Sequence, residues 1–125
     1  MLQSIFGYRR TMPTGTVQPQ IKVKEIRANE LFQNIQNGDA PLLVDVRSPE
    51  EYKLDGHIEN SRLLPLQMLF QRINELPKDK PIVCVCRSGS RSQVACEQLA
   101  SQGFSDVTNL VGGMIDWHRN GLPSK

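Results

Sequence analysis

Cys86 is followed by Arg87-Ser88-Gly89-Ser90-Arg91-Ser92, and no other run in the sequence concentrates so much potential chemistry. Pro81-Ile82-Val83-Cys84-Val85-Cys86 is an apolar run that reads as a buried strand ending at Cys86. Val94, Ala95, Cys96, Leu99 and Ala100 then recur at helical spacing, and Gly103 closes the band. The loop therefore leads from a strand end straight into a helix N-terminus, where unpaired backbone N–H groups and the helix dipole favour negative charge. Ser88, Gly89 and Ser90 are small enough for the backbone to wrap closely around an anionic atom. Arg87 and Arg91 add two full positive charges. Each of these features favours thiolate over thiol, so Cys86 is expected to be a nucleophile.

The other polar and sulfur-bearing candidates have less to do. Asp45 and Arg47 end a neighbouring apolar run and reach the same sheet edge as Cys86 if the strands are parallel. They are supporting residues there, as an electrostatic frame for the loop or as an ion pair fixing the helix that follows. Cys84, two residues before Cys86, lies on the same side of the strand one step deeper and reads as core. Cys96 falls in the helical band and is also core, a resolving thiol only if it faces the loop. His57 is not needed as a base by a thiolate already held by N–H groups. Three cysteines and two histidines lack C-x-x-C or H-x-x-x-H spacing, so no metal and no cofactor is expected.

The elements that must position these residues alternate. Ile21 to Ile26 begins with period two and reads as a short strand, and Leu31, Phe32 and Ile35 form a helical stripe ended by Asn37-Gly38. Leu42-Leu43-Val44-Asp45-Val46 is a second buried strand. Ser48-Pro49-Glu50-Glu51 carries the signature of a capping box with proline in the first turn. Leu66, Leu69, Phe70 and Ile73 share a face, which predicts a helix over Leu66–Asn74. Val107–Val111 is a further strand, and Gly112-Gly113 opens a last helix through Trp117, an expected core anchor. Alternating helices and buried strands predict an α/β fold with a parallel sheet covered on both faces.

Composition bounds the whole. The chain has 125 residues, 38% hydrophobic and 22% charged, enough for one globular domain without a disulfide or metal staple. Its net charge of +2 is too small to indicate a nucleic-acid partner, and no apolar run approaches a membrane span. Three cysteines make a secreted disulfide framework implausible and place the protein in the cytoplasm. Charge is uneven, +4 over residues 1–27 and −2 over residues 28–125. Residues 1–20 contain no acid and no hydrophobic period, and their arginines follow the few apolar residues rather than precede them. They read as an N-terminal tail ahead of a domain over residues 21–125, not as a secretory signal.

Four runs in order complete the reading. Leu43-Val44-Asp45-Val46-Arg47, Glu51-Tyr52 with Gly56-His57-Ile58, Cys86 through Ser92, and Gly112-Gly113-Met114-Ile115-Asp116-Trp117 together resemble the signatures of single-domain rhodaneses. One departure is Glu59-Asn60-Ser61, where the family has Pro-Gly-Ala. The resemblance implies a three-layer α/β/α fold with a mostly parallel sheet of about five strands. It implies a sulfurtransferase in which Cys86 takes sulfur from thiosulfate or a similar small anionic donor and passes it, as a persulfide, to cyanide or a thiol. A partner protein can serve as donor or acceptor. Backbone N–H groups of Arg87 through Ser92 would surround the sulfur, and Arg87 and Arg91 would orient the donor. Two competitors remain. Tyrosine phosphatases and arsenate reductases use a similar cysteine loop, but phosphatases place five residues between Cys and Arg where four separate Cys86 and Arg91. A non-catalytic module of the same fold would typically lack the cysteine.

Overall fold

A computed structural model of the protein describes residues 22–125. The expected tail over residues 1–20, and Ile21 at the start of the first predicted strand, lie outside the described residues. The elements are β1 (Lys24–Ile26), α1 (Ala28–Gln36), β2 (Leu42–Asp45), α2 (Pro49–Leu54), β3 (Arg62–Leu63), α3 (Leu66–Leu69), a 3-10 turn (Ile73–Glu75), β4 (Ile82–Val85), α4 (Ser90–Ser101), β5 (Val107–Leu110) and α5 (Gly113–Arg119). The five strands form one sheet in the order β1-β5-β4-β2-β3, and every neighbouring pair is parallel. None of the described helices is long and apolar enough to cross a membrane.

Strand alternation divides the core in two. On β4, Ile82 and Cys84 face the layer that contains Ala95, Cys96 and Leu99 of α4 and Leu69 of α3, and Cys86 continues that side. Val83 and Val85 face the opposite layer, with Leu31 of α1 and Met114 and Trp117 of α5. The β4 residues are nearly inaccessible on both faces, which is why this stretch is an unbroken apolar run rather than an alternating one. Trp117 is the expected anchor: it is 1% exposed, meets Phe32 edge-on at 5.9 Å and donates its indole N–H to the Pro123 carbonyl.

The capping box at Ser48 is complete. Ser48 Oγ accepts the Glu51 N–H, Glu51 Oε1 accepts the Ser48 N–H, and Pro49 occupies the first turn. The departure at Glu59-Asn60-Ser61 still makes a turn. Asn60 takes a φ of 69°, a left-handed conformation that asparagine tolerates better than most residues. Ser61 closes the turn by donating both its N–H and its hydroxyl to the Ile58 carbonyl.

Two predicted elements differ. The helix expected over Leu66–Asn74 is a single helical turn, Leu66–Leu69, followed by the 3-10 turn at Ile73–Glu75. Phe70 does not share the buried face and is 64% exposed. Arg62 and Arg72 both reach the Glu75 carboxylate and hold the tighter turn instead, while Leu69 and Leu76 enter the core. The fifth strand, β3, has only two residues, too few for a periodic signal, and forms by pairing with Val44 and Asp45 of β2.

Candidate active site

All strands run the same way, so their carboxyl ends gather at one edge, and Cys86 stands there one residue beyond β4. Two neighbours shape the loop that follows. At the start of α5 the N–H groups of Met114 and Ile115 donate to the carbonyls of Cys86 and Arg87 at 2.9 and 3.0 Å. With those carbonyls turned toward α5, the N–H groups of the loop are free to point the other way. Gly113 allows this approach, because a Cβ there would lie 2.5 Å from both carbonyl oxygens. Gly89 turns the chain into α4 with a φ of 103°, packed against Gly112 and the Leu110 carbonyl.

The Cys86 sulfur is fully buried and accepts from two backbone donors. The Gly89 N–H reaches Sγ at 3.1 Å, the Ser92 N–H at 3.3 Å, and the Ser92 hydroxyl oxygen lies 3.2 Å away. These N–H groups belong to the first turn of α4 and its cap, so a fixed dipole and two hydrogen bonds converge on one sulfur atom. The loop thus brings Cys86, Gly89 and Ser92 together. Ser88 and Ser90 are exposed, with their hydroxyls 3.4 Å apart.

The charges are arranged differently from the expectation of two free cations. Arg87 is exposed and makes no ion pair among the described residues. Arg91 turns to α2 and forms a two-pronged ion pair with Glu51, Nη1 to Oε1 at 2.8 Å and Nη2 to Oε2 at 2.7 Å. The hydrogen-bonded guanidinium, helped by Ser48, holds the Glu51 carboxyl down at about 2, against burial that pushes it up. Arg91 therefore ties the loop to the capped helix, because Glu51 stands within reach of both its nitrogens. Asp45 and Arg47 form a second pair, buried to 0% and 1% exposure, with Nε–Oδ1 and Nη2–Oδ2 both at 2.9 Å. Arg47 also donates to the Gly56 carbonyl at 2.8 Å, which fixes the end of α2. The pair is a structural brace at the edge of the site, and of the two roles open to it the ion-pair role is the one its geometry fits.

The remaining sulfurs face inward. Cys84 and Cys96 are buried in the α4-side core, and the Cys96 thiol together with burial pushes the Cys84 thiol well up. Cys96 thus shares one core cluster with Cys84. His57 stacks on Tyr52 at 3.7 Å with its Nδ1 at the Tyr52 carbonyl, a structural placement. Two residues escape the sequence reading. Glu51 reads there as half of a capping box and as part of a family-like run, not as the partner of Arg91. Asn109 on β5 is buried and bonds both Ser92 and Gly89; an asparagine inside a strand, between Thr108 and Leu110, was the available signal.

A strand-end cysteine under a helix N-terminus, beside a Gly-Gly turn, accords with what comparison with known proteins finds. The Rhodanese-like domain family matches residues 27–120. The chain belongs to this family. Among rhodanese-like relatives, a sulfurtransferase of Allochromatium vinosum is 44% identical over 101 residues, covering 81% of this chain and 94% of that protein. The thiosulfate sulfurtransferase GlpE of Vibrio cholerae is 37% identical over 81 residues, covering 65% of this chain and 76% of that one. Of solved structures, a rhodanese-like domain protein from Staphylococcus aureus superposes with a TM-score of 0.74 at 33% identity, over 82% of this chain and 99% of its own. The α/β fold with helices on both sides of a parallel sheet is thus that of the rhodanese-like family.

Proposed function

We propose that the protein is a sulfurtransferase that moves a sulfane sulfur from thiosulfate, or a similar small anionic donor, to a thiophilic acceptor through a persulfide on Cys86. The observation that carries this reading is the convergence of the Gly89 and Ser92 N–H groups on a single sulfur atom, Cys86 Sγ. The Cys86 thiolate attacks the outer sulfur of thiosulfate. The donor's S–S bond breaks, its electron pair leaves with sulfite, and a new S–S bond joins Sγ to the transferred sulfur. Cyanide or a thiolate then attacks that outer sulfur, and Cys86 regains its electron pair. Negative charge moves outward by one atom at loading and inward at release, beside the fixed N–H groups of Gly89 and Ser92. Arg87, exposed on the loop itself, supplies the cation that draws an anionic donor.

The phosphatase reading has less support. The loop from Cys86 to Arg91 is one residue shorter than theirs. Both outer nitrogens of Arg91 are already taken by Glu51, whereas phosphate would have to be gripped by that guanidinium.

Steady-state kinetics with thiosulfate and cyanide test the proposal. Thiocyanate should form with the parallel-line pattern of a two-step covalent mechanism, and Cys86→Ser should abolish it. Hydrolysis of an aryl phosphate in preference to sulfur transfer would overturn it.

A further inference from the structure

Asn109 occupies a strand position between Thr108 and Leu110 and is 5% exposed. Its Nδ2 donates to the Gly89 carbonyl at 3.0 Å and to Gln93 Oε1 at 3.3 Å. These two bonds fix which end of the amide faces which way, and the oxygen faces Ser92. The Ser92 hydroxyl, wholly buried, donates to that Oδ1. The same hydroxyl oxygen lies 3.2 Å from Cys86 Sγ. A hydroxyl has one proton. With it committed to Asn109, only lone pairs are left to face the sulfur. They accept an S–H from a thiol but offer nothing to a thiolate. Turning the amide over would set Oδ1 against the Gly89 carbonyl.

We infer that Asn109 is a positioning residue that withholds the Ser92 hydroxyl proton from the anionic Cys86 sulfur and so favours sulfur loading. The inference rests on the sulfur-transfer reading, whose two states place charge differently. Before transfer the charge sits on Sγ, which has the two backbone N–H groups but no hydroxyl donor. After the donor's S–S bond breaks and the new one forms, Sγ is neutral and the charge sits on the terminal sulfur. Neutral Sγ needs no hydroxyl donor, so the Ser92–Asn109 bond then costs nothing. Asn109 thereby raises the free thiolate relative to the persulfide, a difference between states rather than uniform binding.

Other ionisable groups lie around the Cys86 edge of the sheet. Arg87 lies in its own loop, the Arg91–Glu51 pair comes from α4 and α2, and the Asp45–Arg47 pair comes from β2. The thiols of Cys84 on β4 and Cys96 on α4 lie in the same core, and α5 presents backbone N–H groups to the Cys86 and Arg87 carbonyls. None of them changes in the variants below, so differences among those variants isolate the Ser92 proton.

The test is the rate of Cys86 alkylation by iodoacetamide against pH, read by peptide mapping in wild type, Ser92→Ala, Asn109→Ala and the double variant. Asn109→Ala releases the hydroxyl to donate to the thiolate. The half-maximal pH is expected to fall by about one unit, a tenfold change in thiolate fraction. The plateau rate is expected to fall about threefold, because a better-stabilised thiolate is a weaker nucleophile. Ser92→Ala is expected not to raise the half-maximal pH, and in that background Asn109→Ala should move it no further. A rise of about one unit in Ser92→Ala would show that the hydroxyl already serves the thiolate and would overturn the inference. So would an Asn109→Ala shift that persists without Ser92, since it would then act through the Gly89 carbonyl. Ser92→Ala is a minimal deletion, so the first of these outcomes does not depend on how well Asn109→Ala folds. Alkylation needs no sulfur donor, so a failed sulfur-transfer reading would show separately, as absent thiocyanate formation.

Discussion

Gly113→Ala is the substitution most damaging to the loop for the smallest chemical change. An added Cβ would lie 2.5 Å from the carbonyl oxygens of Cys86 and Arg87 and 2.6 Å from the Arg87 carbonyl carbon. Those contacts are about 0.9 Å shorter than ordinary van der Waals separation, and every crowded atom is backbone. The Cys86 and Arg87 peptides would have to move, and the bonds they accept from Met114 and Ile115 would stretch. A displacement of about 1 Å in reacting geometry costs on the order of a hundredfold in rate, equivalent to about 2.7 kcal/mol of lost transition-state stabilisation. The left-handed φ of 55° adds a folding cost of about 1–2 kcal/mol for a residue with a side chain. The assay is thiocyanate formation per folded molecule, with folding followed by circular dichroism. Gly38→Ala separates the two effects. Its φ is 85°, but nothing lies within 4 Å of the added carbon, so it should lose stability and keep its activity. Gly113→Ala with kcat/KM within threefold of wild type would refute the role given to α5 in aiming the loop.

Three further outcomes follow from the charges around the loop. Arg91 holds the Glu51 carboxyl at about 2 in the folded chain against 4.5 as its ordinary value, so the pair stabilises fully above about pH 4.5 and loses its effect as pH falls through about 2. Both side chains are partly exposed, which limits the effect to about 1 kcal/mol. Wild type should melt about 4 °C above Glu51→Gln at pH 6, and the gap should close by about pH 2; a gap that survives acid would contradict the pairing. Asp45→Asn leaves Arg47 charged in a buried site and should cost about 3–5 kcal/mol in urea unfolding, with much of it recovered by Asp45→Leu combined with Arg47→Met. Arg87→Gln should raise the thiosulfate KM about fivefold, with the increase shrinking at high salt. A KM unmoved at low salt would remove Arg87 from donor capture.

What was legible in the sequence was local. The Cys86 loop announces itself because its determinants are consecutive: an apolar strand, small residues, a left-handed glycine and a helix start. The capping box at Ser48 and Glu51 is likewise contained in four residues. What was not legible needs a partner far along the chain. Glu51 and Arg91 are 40 residues apart, and only the packed fold shows that the second cation is already occupied. Asn109 meets Ser92 across 17 residues and two elements. Strand β3 exists through its register with β2, and two residues carry no period of their own. The stripe of Leu66, Leu69, Phe70 and Ile73 fits a longer helix, yet Arg62 and Arg72 converging on Glu75 favour the tighter turn that replaces its second half.

The central claim is that Cys86 alone carries the transferred sulfur. The direct measurement is the mass of the intact protein after incubation with thiosulfate and removal of the excess, followed by peptide mapping under conditions that preserve persulfides. The account predicts a species heavier by one sulfur atom, with that sulfur on the peptide containing Cys86, lost on adding cyanide and absent from Cys86→Ser. An unchanged mass, or a sulfur found on Cys84 or Cys96 instead, would contradict it.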